Sequence, residues 1–200
     1  SVTHPDLVNL QTRARVTELA ARLDAGIVAI DGPSGAGKST LAERLVAALR
    51  ERGERVELLD GDELRTSLSA GLGFSRADRN THVTRVGFVA DLLARNGVWA
   101  IVPVIAPYAD ARAENRARHE RSGSRYLEVF VATSLEECAR RDVKGLYARA
   151  EAGELTGMTG LDDPYEVPTD PELRLETQGR SIEESLAEIL RLIDEERTPA

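Results

Sequence analysis

The chain has 200 residues and a formal net charge of −8, with 42% hydrophobic and 30% charged residues. That length supports one α/β domain whose core needs neither a disulfide nor a structural metal, and the single Cys138 cannot pair within the chain. The acidic balance excludes a broad nucleic-acid-binding surface, which needs spread positive charge to displace counterions. No apolar run reaches membrane-spanning length and no signal peptide opens the sequence, so a cytoplasmic protein is expected.

Residues 1–25 read as an N-terminal helical arm without a catalytic pattern, and residues 26–200 as a single domain without repeats. Gly26-Ile27-Val28-Ala29-Ile30-Asp31 has the composition of a short buried strand. It runs into Gly32-Pro33-Ser34-Gly35-Ala36-Gly37-Lys38-Ser39-Thr40, which matches G-x-x-x-x-G-K-[ST], and Leu41, Leu45, Ala48 and Leu49 then recur at helical spacing. Strand, glycine loop and helix in that order make a phosphate-binding loop. The glycines let successive N–H groups point at phosphate oxygens, and the helix start adds the positive end of its dipole. Gly32, Ser34, Gly35, Ala36, Gly37, Lys38, Ser39 and Thr40 are therefore the candidate ATP-binding residues. Lys38 is placed to reach the β- and γ-phosphates and the Ser39 hydroxyl to complete a Mg²⁺ shell.

A second strand, Arg55 to Asp60, delivers Asp60-Gly61-Asp62 to the carboxyl end of a parallel sheet, where α/β proteins bind ligands. Asp60 or Asp62 supplies a metal contact, and Asp62 can take a proton from an attacking hydroxyl; the alternative is that Asp62 only caps the next helix. Phe74 stands among small and polar residues as a stacking surface, and Arg65, Arg79 and Arg85 offer guanidinium forks to an anion. The following helix carries Val83, Val86, Val89, Ala90 and Leu93 on one side. Val98 to Ile105 reads as a strand covered on both faces, with Trp99 in the core, and Arg125 to Val131 as another. Ser134 and Glu137 are spaced as a capping box for a helix that buries Cys138. From about residue 142 to 168 the chain is rich in glycine and charge and lacks periodicity, which marks a mobile lid. A short strand, Leu173 to Glu176, and an amphipathic helix opened by Ser181 and Glu184 close the order.

Several blocks together resemble the adenylyl-sulfate kinase (APS kinase) family. They are Gly32 to Thr40, Asp60-Gly61-Asp62 with Arg65, Leu72-Gly73-Phe74-Ser75 with Asp78-Arg79, Pro107-Tyr108 with Arg112, Arg141 to Tyr147, and Thr159 to Glu166, in family order. The resemblance implies a three-layer α/β/α P-loop kinase fold with a mostly parallel sheet of about five strands. It implies transfer from MgATP to the ribose 3′-hydroxyl of adenosine 5′-phosphosulfate (APS), and a possible homodimer. By resemblance Phe74 lies against the adenine of the acceptor. Arg65, Arg79 and Lys144 serve the phosphosulfate, and His82, Ile105, Ala106 and Met158 complete the acceptor site. The chain departs from the family pattern where His82 replaces an Asn, Ala106 a Ser and Met158 an aromatic. Ala106 has no hydroxyl to phosphorylate, so transfer is expected to be direct. Two other readings share these residues: a kinase of the same architecture with another nucleotide-like acceptor, and a non-catalytic nucleotide-binding module.

Overall fold

The computed structural model describes residues 24–142, 145–154, 159 and 163–197. Residues 1–23 of the expected arm, Lys144 and Met158 lie outside the described residues. Five strands, β1 (Gly26–Asp31), β2 (Val56–Leu58), β3 (Trp99–Val102), β4 (Arg125–Val131) and β5 (Leu173–Leu175), form one sheet in the order β2-β3-β1-β4-β5. Every pairing is parallel, and β1 is registered along its whole length on β4, from Gly26 opposite Arg125 to Asp31 opposite Phe130.

Alternation along the strands builds two cores. Val28 and Ile30 of β1 and Trp99 and Ile101 of β3 face α1 (Lys38–Glu51) and α7 (Ile182–Arg197), where Leu41, Leu45, Leu49, Ile189 and Ile193 are buried. Ile27, Ala100 and Val102 face the other layer, where Val83, Val86 and Ala90 of α3 (Arg76–Arg95) pack with Ala111 of α4 (Ala109–Ser122). Truncating a core residue such as Leu45 to Ala would cost ~2–5 kcal/mol, so the sheet is a rigid platform for what its carboxyl edge carries. Three short helices complete the description: α2 (Gly61–Thr66), α5 (Leu135–Arg141) and α6 (Leu146–Glu151).

Two local expectations are corrected. The strand expected from Val98 to Ile105 stops at Val102, because Pro103 has no N–H to continue the ladder and Val104 N–H turns back to the Val102 carbonyl at 3.0 Å. The capping box at Ser134 is half formed: Ser134 Oγ accepts from Glu137 N–H at 3.2 Å, but the Glu137 carboxylate bonds Arg140 and Arg141 instead of reaching back. At α7 the reciprocal box is complete, with Ser181 N–H donating to Glu184 Oε2 at 2.7 Å and Glu184 N–H to Ser181 Oγ at 3.1 Å. Cys138 is fully buried, in the small-filler role expected of it.

Candidate active site

β1 is central, and the chain leaves it on one face while crossing from β3 to β4 on the other. The loops after β1 and β3 therefore diverge and open a cleft at the carboxyl edge. Its volume is about 400 Å³. Ser34, Gly35, Gly37, Lys38, Ser39 and Thr40 form one wall, Asp60 and Asp62 stand at the next strand end, and Arg65, Phe74, Arg79, His82 and Ile105 form the far wall. Gly32 and Ala36 contribute backbone to the loop and are buried beneath this surface.

Gly35 and Gly37 have φ of 80° and 94°, which a side chain would strain. A Cβ on Gly35 would also press on the Cys138 carbonyl oxygen at 3.1 Å, so the loop is seated on α5. No side chain caps the first turn of α1, which leaves its N–H groups disposed as a phosphate site. Lys38 is buried at 8% exposure and its ammonium donates to the carbonyls of Gly32 at 2.9 Å and Pro33 at 2.7 Å. That places a cation under the loop.

Asp60, not Asp62, is the N-cap of α2: its Oδ1 accepts from the N–H groups of Asp62 at 2.9 Å and Glu63 at 3.0 Å. The capping alternative for Asp62 is thereby overturned. Asp62 sits in the first helical turn, exposed on the cleft.

The far wall concentrates positive charge around one aromatic ring. Phe74 is 66% exposed, with the Arg65 guanidinium carbon 4.8 Å and that of Arg79 5.4 Å from its centroid. Arg65 donates to the Gly73 carbonyl at 2.9 Å and Arg79 Nε to the Phe74 carbonyl at 2.9 Å, which fixes both stems. Burial first, and the charge of Arg79 second, push the Arg65 pKa below its usual value. Two cations held this close are relieved by an anion. Arg85, by contrast, donates to the Leu68 carbonyl at 3.1 Å and is outside the cleft lining.

His82 is buried with Nδ1 2.8 Å from the Ser69 hydroxyl. Burial, then the charges of Arg65 and Arg85, push its pKa down to about 4, so it is a neutral hydrogen-bonding group at physiological pH. Ala106 does not line the cleft; it faces a buried cavity of about 30 Å³ on the other side of the turn.

Residues that the sequence left without a role close the site. Tyr147 of α6 donates its hydroxyl to the Ser34 carbonyl at 2.9 Å, docking α6, within the segment expected to be a lid, on the phosphate loop. Asp142 accepts from the N–H groups of Tyr147 and Ala148, each at 3.0 Å, and so caps α6 from outside it. At the other end of the same segment, Asp163 accepts from the Tyr108 hydroxyl at 3.1 Å and pairs with Arg79 Nε at 3.2 Å. Glu166 Oε2 accepts from Ala109 N–H at 2.7 Å. The blocks around Pro107-Tyr108 and Thr159 to Glu166 were visible in the sequence as blocks; only the fold shows that they grip each other.

A parallel sheet in this order, with a phosphate loop after β1 and carboxylates after β2, defines a P-loop kinase. The Adenylylsulphate kinase family profile matches residues 24–176. The chain belongs to that family. An adenylyl-sulfate kinase of Picosynechococcus sp. is 49% identical over 164 residues, spanning 82% of this chain and 90% of its own length. The Mycobacterium tuberculosis APS kinase CysC, solved in complex with AMPPNP and APS, superposes with a TM-score of 0.82 at 46% identity, covering 86% of this chain and 98% of that one. A hexameric APS kinase from Thiobacillus denitrificans gives a TM-score of 0.67 at 40% identity, over 88% of this chain and 30% of that one.

Proposed function

We propose that the chain transfers the γ-phosphoryl group of ATP to the 3′-hydroxyl of APS, giving 3′-phosphoadenosine 5′-phosphosulfate and ADP. One observation carries this reading: a phosphate loop and a cationic, aromatic wall face the same cleft, with Asp62 at the strand end between them.

The loop N–H groups and Lys38 hold the triphosphate, and Lys38 neutralises charge that shifts toward the β–γ bridging oxygen. Arg65, Arg79 and Lys144 bind the phosphosulfate, and Phe74 and Met158 lie against adenine. His82 adds a neutral hydrogen bond, Ile105 shapes the acceptor wall, and Ala106 acts from behind it, outside the cleft lining. Asp62 accepts the proton of the 3′-hydroxyl as its oxygen bonds to the γ-phosphorus and the bond to the β-phosphate oxygen breaks. Tyr147, Asp163 and Glu166 hold the lid segment, about 142–168, over the reactants so that water is excluded.

Mg²⁺ fits the donors present, because Ser39, Asp60 and Asp62 offer one hydroxyl and two carboxylates on the cleft, suited to a cation that keeps waters and takes phosphate oxygens. Ser39, Asp60 and Asp62 would hold the ion, which would supply neutralisation of phosphate charge when bound with ATP. Among the described residues no cluster of three or more His, Cys, Asp or Glu holds a metal by protein ligands alone.

Residues 26–200 form the kinase domain in this reading, and copies of the chain associate, as a homodimer by family resemblance. No described helix is long and apolar enough to cross a membrane.

The test is to incubate purified protein with MgATP and APS and resolve the products by mass against a control without APS. Formation of 3′-phosphoadenosine 5′-phosphosulfate supports the reading. ATP binding without that product moves the assignment to another nucleotide-like acceptor, and ATP binding without transfer to any acceptor leaves a regulatory module.

A further inference from the structure

Asp31 ends β1 with a carboxylate that is 2% exposed and that no step above uses. Its Oδ1 accepts from two backbone N–H groups, Gly32 at 2.7 Å and Ala106 at 3.0 Å. Gly32 opens the phosphate loop, and Ala106 ends the turn whose residues Pro103 to Ile105 line the cleft. One oxygen thus ties the ATP side to the acceptor side.

The same Ala106 is held from its other end. Its carbonyl accepts from Arg112 Nη1 at 2.6 Å, and Nη2 of that guanidinium donates to the Glu166 carbonyl at 2.7 Å. Glu166 N–H in turn donates to the Pro107 carbonyl at 2.7 Å. Arg112 Nη1 lies 3.9 Å from Asp31 Oδ2, and its Nε lies 3.1 Å from Glu128 Oε1. Phosphate loop, turn and distal lid end therefore meet at one buried pair.

A buried carboxylate is costly when a neutral acceptor would satisfy the same two N–H groups. Asp31 Oδ2 and the Tyr165 hydroxyl are buried against each other, and among the described residues neither has a further hydrogen-bond partner. Lys38 approaches from α1 and Arg112 from α4, Tyr126 and Glu128 face it from β4, and α3 presents only Val83, Val86 and Gly87 to the cavity they share. Burial keeps Tyr126 and Tyr165 protonated, and raises the Glu128 pKa against the pull of Arg112 and Arg116. The ionised form of Asp31 is the one that attracts Arg112.

We propose that Asp31 is a positioning residue: ionised, it registers the phosphate loop against the turn after β3 and, through Arg112, against the distal end of the lid, and its neutralisation loosens that register and slows transfer to the acceptor. The proposal rests on the kinase reading above. Burial pushes the Asp31 pKa up to about 6, against the opposing backbone donors, Lys38 and Arg112, so the change falls in an accessible pH range.

The experiment compares wild type with Asp31→Asn and Arg112→Met from about pH 5 to about pH 8, varying APS at saturating MgATP. Asn keeps the acceptor for both N–H groups and replaces Oδ2 by a neutral amide. Wild-type kcat/KM for APS rises as the pH passes about 6. Asp31→Asn lacks that rise and lies about 10-fold below the wild-type plateau with nearly unchanged ATP affinity, because the loop bond survives. Arg112→Met, lacking the cation that favours the carboxylate, moves the rise to higher pH. Hydrogen exchange over residues 163–168, corrected for intrinsic pH dependence, gives a readout that needs no turnover: wild-type protection falls below about pH 6 and that of Asp31→Asn stays level. Superimposable wild-type and Asp31→Asn pH profiles, or lid protection equally pH-independent in both, overturn the role. A wild type that makes no phosphorylated APS at any pH sinks the kinase reading instead, and hydrogen exchange then decides the role of Asp31.

Discussion

The two walls of the cleft are built from different materials. The ATP wall is backbone: Gly35 and Gly37 at positive φ, an uncapped helix start and a lysine folded against the loop's own carbonyls. The acceptor wall is side chain: Phe74 between Arg65 and Arg79, with His82 buried behind them. A backbone site tolerates few residue types and stays the same across a fold, whereas a side-chain site changes by substitution on fixed elements. Of the departures from the family pattern, His82 falls on the side-chain half and Ala106 lies outside the cleft lining.

That contrast is sharpened by damaging each half separately. Asp62 stands between the halves, and Asp62→Asn is expected to lower kcat by ~10²–10⁴ with the Kd for ATP within a few fold. Steady-state kinetics beside ATP titration checks it, and an unchanged kcat would remove Asp62 from the chemistry. Next in size, Arg79→Ala is expected to raise KM for APS by ~10–100-fold, the loss of ~1.5–3 kcal/mol of charge-assisted bonding, and to leave KM for ATP nearly constant. Equal effects on both substrates would break the division into halves.

His82 gives a smaller effect, on stability. Burial holds its folded pKa at about 4, below the ordinary histidine value of 6.5. The stability it contributes is therefore complete above pH 6.5 and lost as the pH falls through about 4. Thermal melts of His82→Asn should show a flatter acid side than wild type, by about 3 kcal/mol over that interval. Identical acid sides would mean that His82 is not held neutral. The smallest expected change is Tyr147→Phe, which removes one hydrogen bond to the Ser34 carbonyl. About 1 kcal/mol corresponds to roughly fivefold in kcat/KM.

The same contrast explains what was legible in the sequence. The phosphate loop could be read because glycine spacing, lysine and flanking hydrophobic periodicity are local, and the strands β1 and β4 followed from their apolar runs. Asp60 as the cap of α2 was missed because two aspartates flank Gly61, and only backbone geometry decides which of them accepts the N–H groups. The Asp31 hub was invisible for a different reason. Gly32, Ala106, Arg112 and Glu166 are brought together by sheet order, and a strand-ending aspartate in an apolar run carries no local mark of it. Tyr147 belonged to a recognisable block, yet its partner Ser34 is 113 residues away.

The central claim is a single direct transfer across the cleft, with no phosphorylated protein group between ATP and acceptor. It is tested most directly by using ATP made chiral at the γ-phosphorus with oxygen isotopes and thiophosphate, and determining the configuration of the 3′-phosphorothioate formed from APS. One in-line displacement predicts inversion. Retention would require two displacements through a covalent intermediate and would contradict the account.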